Sequence, residues 1–92
     1  MKKDRQFILN SIKMDLYRVV TAAGDIGKEI PLDSIQIFLN HADKDFGKID
    51  LTPHEKELRS HLKNLAAKVG SLNNPNGRLR WAEDVLTTRC RL

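Results

Sequence analysis

The sequence predicts an all-α domain, a compact up-down bundle of four helices over residues 3–23, 32–46, 53–69 and 78–89. Three observations carry that expectation. Apolar residues recur at the three- and four-residue spacing of one helical face in each segment. Glycine, or a cap containing proline, punctuates the segment ends. No stretch alternates apolar and polar residues over a strand's length; Ile49 to Leu51 is too short to build a sheet.

In the first segment Ile8, Leu9, Ile12, Leu16, Val19, Val20 and Ala23 fall on one stripe at about 100° per residue, and Gly24 is expected to stop the helix in the left-handed conformation. A second stripe lies opposite, made of Phe7, Met14 and Tyr17. The next helix starts at Leu32 behind Pro31, or two residues later with Asp33 as cap and Gln36 reaching back. Leu32, Ile35, Phe38, Leu39, Ala42 and Phe46 share one face, Ile37 points away from the core stripe, and Gly47 ends the helix. The third helix has the clearest start, because Thr52-Pro53-His54-Glu55 supplies a cap hydroxyl, a proline at the first position and a glutamate to return to the Thr52 amide. Leu58, Leu62, Leu65, Ala66 and Val69 form its stripe, Gly70 stops it, and Glu55 and Arg59 make an (i, i+4) pair of favourable order. Ser71 to Gly77 reads as a loop by composition. In the last helix Leu79, Ala82, Val85 and Leu86 are expected to be buried, with Trp81 at the border.

The 92 residues fit one domain, 1–92, with neither repeat nor internal linker. A chain this short buries roughly 60–68% of its unfolded surface, so pairing with a second copy is a ready source of stability. No apolar run reaches the 18 or so residues of a membrane span. The basic start, Met1 to Arg5, is followed by too short an apolar run for a secretory signal, and Cys90 as the only cysteine excludes an internal disulfide. A reducing, cytoplasmic location is the expectation. The net charge of +4 is uneven: residues 1–24 carry +3, 25–51 carry −3 and 52–92 carry +4. Such patches can steer a charged partner.

Several motifs invite a function and fail on spacing. Asp43-Lys44-Asp45-Phe46-Gly47 opens like a calcium loop, but glycine falls at position 5 instead of 6 and His54 stands where the closing glutamate belongs. Leu51-Thr52-Pro53-His54-Glu55-Lys56-Glu57-Leu58 resembles the opening of the helix-turn-helix domain of LuxR-type regulators. That family continues with a glycine turn, a short second helix and a basic recognition helix, whereas here one helix runs on to Val69, so no DNA-contacting residue carries over. His54 and His61 are about 10.5 Å apart along one helix, too far to share a metal, and His41 can meet only Asp45 at (i, i+4). No serine sits in a nucleophile elbow, and Gly24-Asp25-Ile26-Gly27-Lys28 lacks the spacing of a phosphate loop. The sequence therefore predicts no enzyme, no cofactor and no metal.

Two readings remain. Phe7, Met14 and Tyr17, with Ile37 as a neighbouring group, point to a non-catalytic interaction or regulatory module that self-associates, unless the other helices cover that stripe. The alternative is a small nucleic-acid-binding protein in which Arg78, Arg80, Arg89 and Arg91 meet phosphates and Trp81 stacks on a base.

Overall fold

Helices form where the periodicity places them: α1 (Arg5–Gly24), α2 (Leu32–Phe46), α3 (Pro53–Ala67) and α4 (Pro75–Cys90), with a 3-10 turn at Val69–Ser71 between the last two. The computed structural model describes residues 4–25, 27–72 and 74–92, and no strand occurs among them. This is the all-α four-helix bundle that the apolar pattern predicts.

The ends are set by local hydrogen bonds. Lys3, the expected first residue of α1, lies outside the described residues; within them Asp4 caps the helix, its carboxylate accepting the Gln6 N–H at 3.0 Å. Gly24 is the last residue of α1, not a left-handed stop, and no described glycine has a positive φ. The α2 end closes instead by short-range bonds, Gly47 N–H reaching the Asp43 and Lys44 carbonyls at 3.3 and 3.1 Å. Thr52 and Glu55 form the reciprocal cap of α3: Thr52 Oγ1 accepts the Glu55 N–H at 3.2 Å and Glu55 Oε1 accepts the Thr52 N–H at 3.0 Å. Helix α3 stops at Ala67, and Gly70 falls inside the 3-10 turn.

Helix α4 begins three residues earlier than its apolar stripe suggests. Asn74 is an N-cap whose side-chain oxygen accepts the Asn76 and Gly77 amides at 2.8 and 3.3 Å, and Pro75 takes the first helical turn. Of the stretch that reads as loop by composition, Asn74 to Gly77 are a helix start, Ser71 ends the 3-10 turn and Leu72 belongs to no helix; Asn73 lies outside the described residues. The buried face of α4 is also rotated from expectation. Arg78, Trp81, Ala82, Val85 and Thr88 are buried, while Leu79 and Leu86 are exposed. Hydrophobicity places Leu inside and Arg and Thr outside, but here both polar groups find internal partners.

Long-range bonds give the topology. Ser11, Asp15 and Arg18 of α1 meet Asp45, His41 and Phe38 of α2 in descending order, so the pair is antiparallel. Arg78 and Arg89 of α4 bond the carbonyls of Ala23 and Lys13, making α4 antiparallel to α1 as well. Trp81 Nε1 donates to the Leu65 carbonyl at 2.9 Å, and His54 lies against the Arg91 carbonyl at 3.4 Å, so α3 and α4 also run in opposite directions. The result is an up-down ring in which α1 packs chiefly on α2 and α4, and α3 more lightly closes the far side. Ile12, Leu16, Val19, Ala23, Ile35 and Val85 are fully enclosed at its centre. Because α1 touches two neighbours only on its inner flanks, its outer face meets solvent.

Candidate functional site

The outer face of α1 carries the second stripe. Phe7, Met14 and Tyr17 are 64%, 51% and 54% exposed, and Ile37, on the outer side of α2, is 65% exposed. These groups are surface in the folded chain, so covering by the other helices does not account for them. Phe7 and Met14 lie two turns apart on one line, and Tyr17 follows one turn after Met14. Arg89 borders the face: its Nε donates to the Lys13 carbonyl at 3.0 Å, and its guanidinium lies 5.7 Å from the centre of the Tyr17 ring.

The residues expected to meet nucleic acid do not form one surface. Arg78 is buried and donates to the carbonyls of Ala23, Lys28 and Asp25 at 3.3, 2.9 and 3.0 Å, tying the α1–α2 connection to α4. Trp81 is buried too, its indole N–H held by Leu65, so it presents no stacking surface. Arg89 is turned along α1, leaving Arg80 and Arg91 exposed. The expected roles of Arg78 and Trp81 are thus corrected: both hold the bundle together.

A cluster that the sequence reading half-missed joins α1 to α2. His41 is expected beside Asp45, and its Nδ1 is 3.6 Å from Asp45 Oδ2. The nearer partner is Asp15, from α1, with Oδ2 at 2.5 Å. Both aspartates are buried and the imidazole is half exposed. Ser11 Oγ donates to Asp45 Oδ2 at 2.8 Å, Lys48 Nζ sits 2.9 Å from Asp45 Oδ1, and Arg18 Nη1 lies 3.7 Å from Asp15 Oδ1. The sequence signal for this was two polar (i, i+4) pairs, Ser11 with Asp15 and His41 with Asp45, each on the flank of an apolar stripe. Antiparallel packing brings those flanks together.

Elsewhere the charges pair across helices instead of along them. The expected Glu55–Arg59 pair does not form. Glu55 binds Arg5 of α1, which also donates to the Asp50 carbonyl, while Arg59 Nε donates to Asp43 Oδ1 at 2.9 Å. Asp43 and Asp45, the would-be calcium ligands, therefore face different partners.

Comparison with protein-family models, curated proteins and solved structures gives no match. Among the described residues no helix is long and apolar enough to cross a membrane.

These ion pairs set the acid response. The hydrogen bond from Arg59 holds the Asp43 carboxyl below its ordinary value, and the one from Arg5 does the same for Glu55. At Asp45 burial raises the carboxyl, but hydrogen bonds from Lys48 and Ser11 outweigh it and leave the group lowered. A carboxyl with a lowered folded-state pKa binds its proton more readily when unfolded, so its stabilisation is complete above the unfolded value of about 4. It disappears as pH falls through the lowered folded values. Urea midpoints are therefore expected to stay level from pH 7 to 5 and fall steeply below pH 4. Asp43→Asn with Glu55→Gln should flatten that fall; an equally steep double variant would refute the assignment.

Proposed function

We propose that the chain is a non-catalytic protein-interaction module that self-associates through the outer face of α1. The observation that carries this is the exposure of Phe7, Met14 and Tyr17 on the side of α1 turned away from the core. A small chain gains little from aromatic and Met side chains left in water, whereas such residues are enriched at the centre of protein interfaces. Arg89, lying over Tyr17, gives the face a cationic border of the kind that surrounds an apolar contact. A second copy is the simplest occupant, because an interface of this type adds the buried area that a chain of this length lacks. The nucleic-acid reading loses support, since two of its five residues are buried and a third lies along α1.

Sedimentation equilibrium across a tenfold range of concentration tests the proposal. A species of twice the 10.5 kDa chain mass is expected. Phe7→Asp with Tyr17→Asp should leave a folded monomer, because neither side chain belongs to the core. A native chain that stays monomeric at millimolar concentration would end the proposal, as would a double variant that remains dimeric.

A further inference from the structure

We propose that Asp15, His41 and Asp45 form a binding site for one divalent transition-metal ion of the zinc class, clamping α1 to α2. The site is separate from the face through which the chain is proposed to self-associate, and neither proposal needs the other.

Donor chemistry comes first. One imidazole and two carboxylates suit zinc and its neighbours, whereas calcium and magnesium favour all-oxygen shells. The ligand atoms of all three side chains lie within 4.8 Å of one another. Zinc holds nitrogen and oxygen ligands at about 2.0–2.2 Å, which places tetrahedral ligands about 3.3–3.6 Å apart. Here Nδ1 of His41 is 3.6 Å from Asp45 Oδ2, at the upper end of that spacing, and 2.5 Å from Asp15 Oδ2, short of it. Small side-chain rotations reach it, and a water molecule completes the fourth position.

The surrounding groups are arranged as a supporting shell. In each aspartate the Oδ2 atom faces the imidazole, and the cation sits on the other oxygen: Lys48 on Asp45 Oδ1 and Arg18 on Asp15 Oδ1. Ser11 adds a hydroxyl donor to Asp45 Oδ2, which orients that carboxylate. Such outer partners fix the direction of ligands and hold their charge. The carboxylates are 5% and 2% exposed and the imidazole 53%, so the ion reaches the buried oxygens along the His41 side. In the absence of an ion, two enclosed carboxylates share one imidazole. His41 Nδ1 lies against Asp15 of α1 and Asp45 of α2, and Arg18 and Lys48 pair with the far oxygens of those two carboxylates. Arg18 and Lys48 are half-exposed, so water screens their charge beside the ion.

The test is calorimetric titration of the whole purified chain with zinc chloride, paralleled by visible absorption with cobalt(II). One saturable equivalent is expected, with cobalt bands of a low-symmetry four-coordinate site. His41→Ala should weaken binding at least about tenfold, and Asp15→Asn likewise. His41→Ala takes a shared partner from two buried carboxylates, so a circular dichroism melt must show that it stays folded, and Asp15→Asn, which keeps the side-chain shape, gives an independent reading. His54→Ala and His61→Ala should bind as the native chain does. The absence of saturable binding with either metal at millimolar concentration would overturn the site. So would a His41→Ala chain that binds as tightly as the native one.

Discussion

Arg78→Ala is expected to destabilise the chain by about 3 kcal/mol. The guanidinium is enclosed between α4 and the α1–α2 connection and satisfies three carbonyls, those of Ala23, Asp25 and Lys28. A hydrogen bond from a charged donor contributes about 1.5–3 kcal/mol, but the three do not add. Asp25 and Lys28 are exposed, so water can replace the lost donor at their carbonyls. Ala23 is fully buried, and its carbonyl would be left without that partner. For a domain of this size the loss lowers the melting temperature by more than about 10 °C. Arg78→Lys should recover little, because one ammonium lacks the planar fork that reaches three acceptors. Urea unfolding measures all three proteins. A loss below about 0.5 kcal/mol, the scatter of surface substitutions, would mean that the connection is not anchored by this side chain.

Trp81→Ala is expected to be more damaging still, at about 4 kcal/mol, within the range for removing a large buried aromatic. Trp81 packs into the main core and its Nε1 is bonded to the Leu65 carbonyl. Trp81→Phe separates the two contributions: it keeps much of the packing and loses the hydrogen bond, at about 1–3 kcal/mol for the carbonyl left buried. Trp81 is the only tryptophan, so its fluorescence reports the site directly. Emission should be blue-shifted in the folded chain and weakly quenched by acrylamide. A Trp81→Ala chain as stable as the native one would place the ring at the surface, where the nucleic-acid reading needs it.

The fold was legible where it is built from short-range chemistry. The Thr52–Glu55 cap lies within four residues, so its two hydrogen bonds follow from the sequence order alone. The stripe of Ile8, Ile12, Leu16 and Val19 is buried as its periodicity requires. Helix α4 was less legible, because its inner face contains Arg78 and Thr88 and its outer face Leu79 and Leu86. There the hydrophobic pattern is outweighed by hydrogen bonding: three distant carbonyls accept from Arg78, and the Thr88 hydroxyl is satisfied within α4 by the Asp84 carbonyl at 2.9 Å. Asn74-Pro75 has the chemistry of a helix start, yet the surrounding Asn and Gly residues mask it as loop.

The exposed stripe of α1 was readable as a pattern but not as a surface. Its period shows in the spacing of Phe7, Met14 and Tyr17; that it faces water follows only from a ring in which α1 has neighbours on its inner flanks. The Asp15–His41–Asp45 cluster was half readable, since His41 and Asp45 are one turn apart on the same helix. Asp15 stands 26 residues from His41, and nothing local joins them. The same holds for Arg5 with Glu55 and Arg59 with Asp43, which displaced the helical pair that sequence order favours. By itself, then, the sequence determined the helices, the α3 cap and the central stripe, because periodicity and capping act within a few residues of backbone. Tertiary structure alone decided which charges meet across helices, because those partners are set by the antiparallel register of whole helices and by the burial that makes an unmet polar group costly.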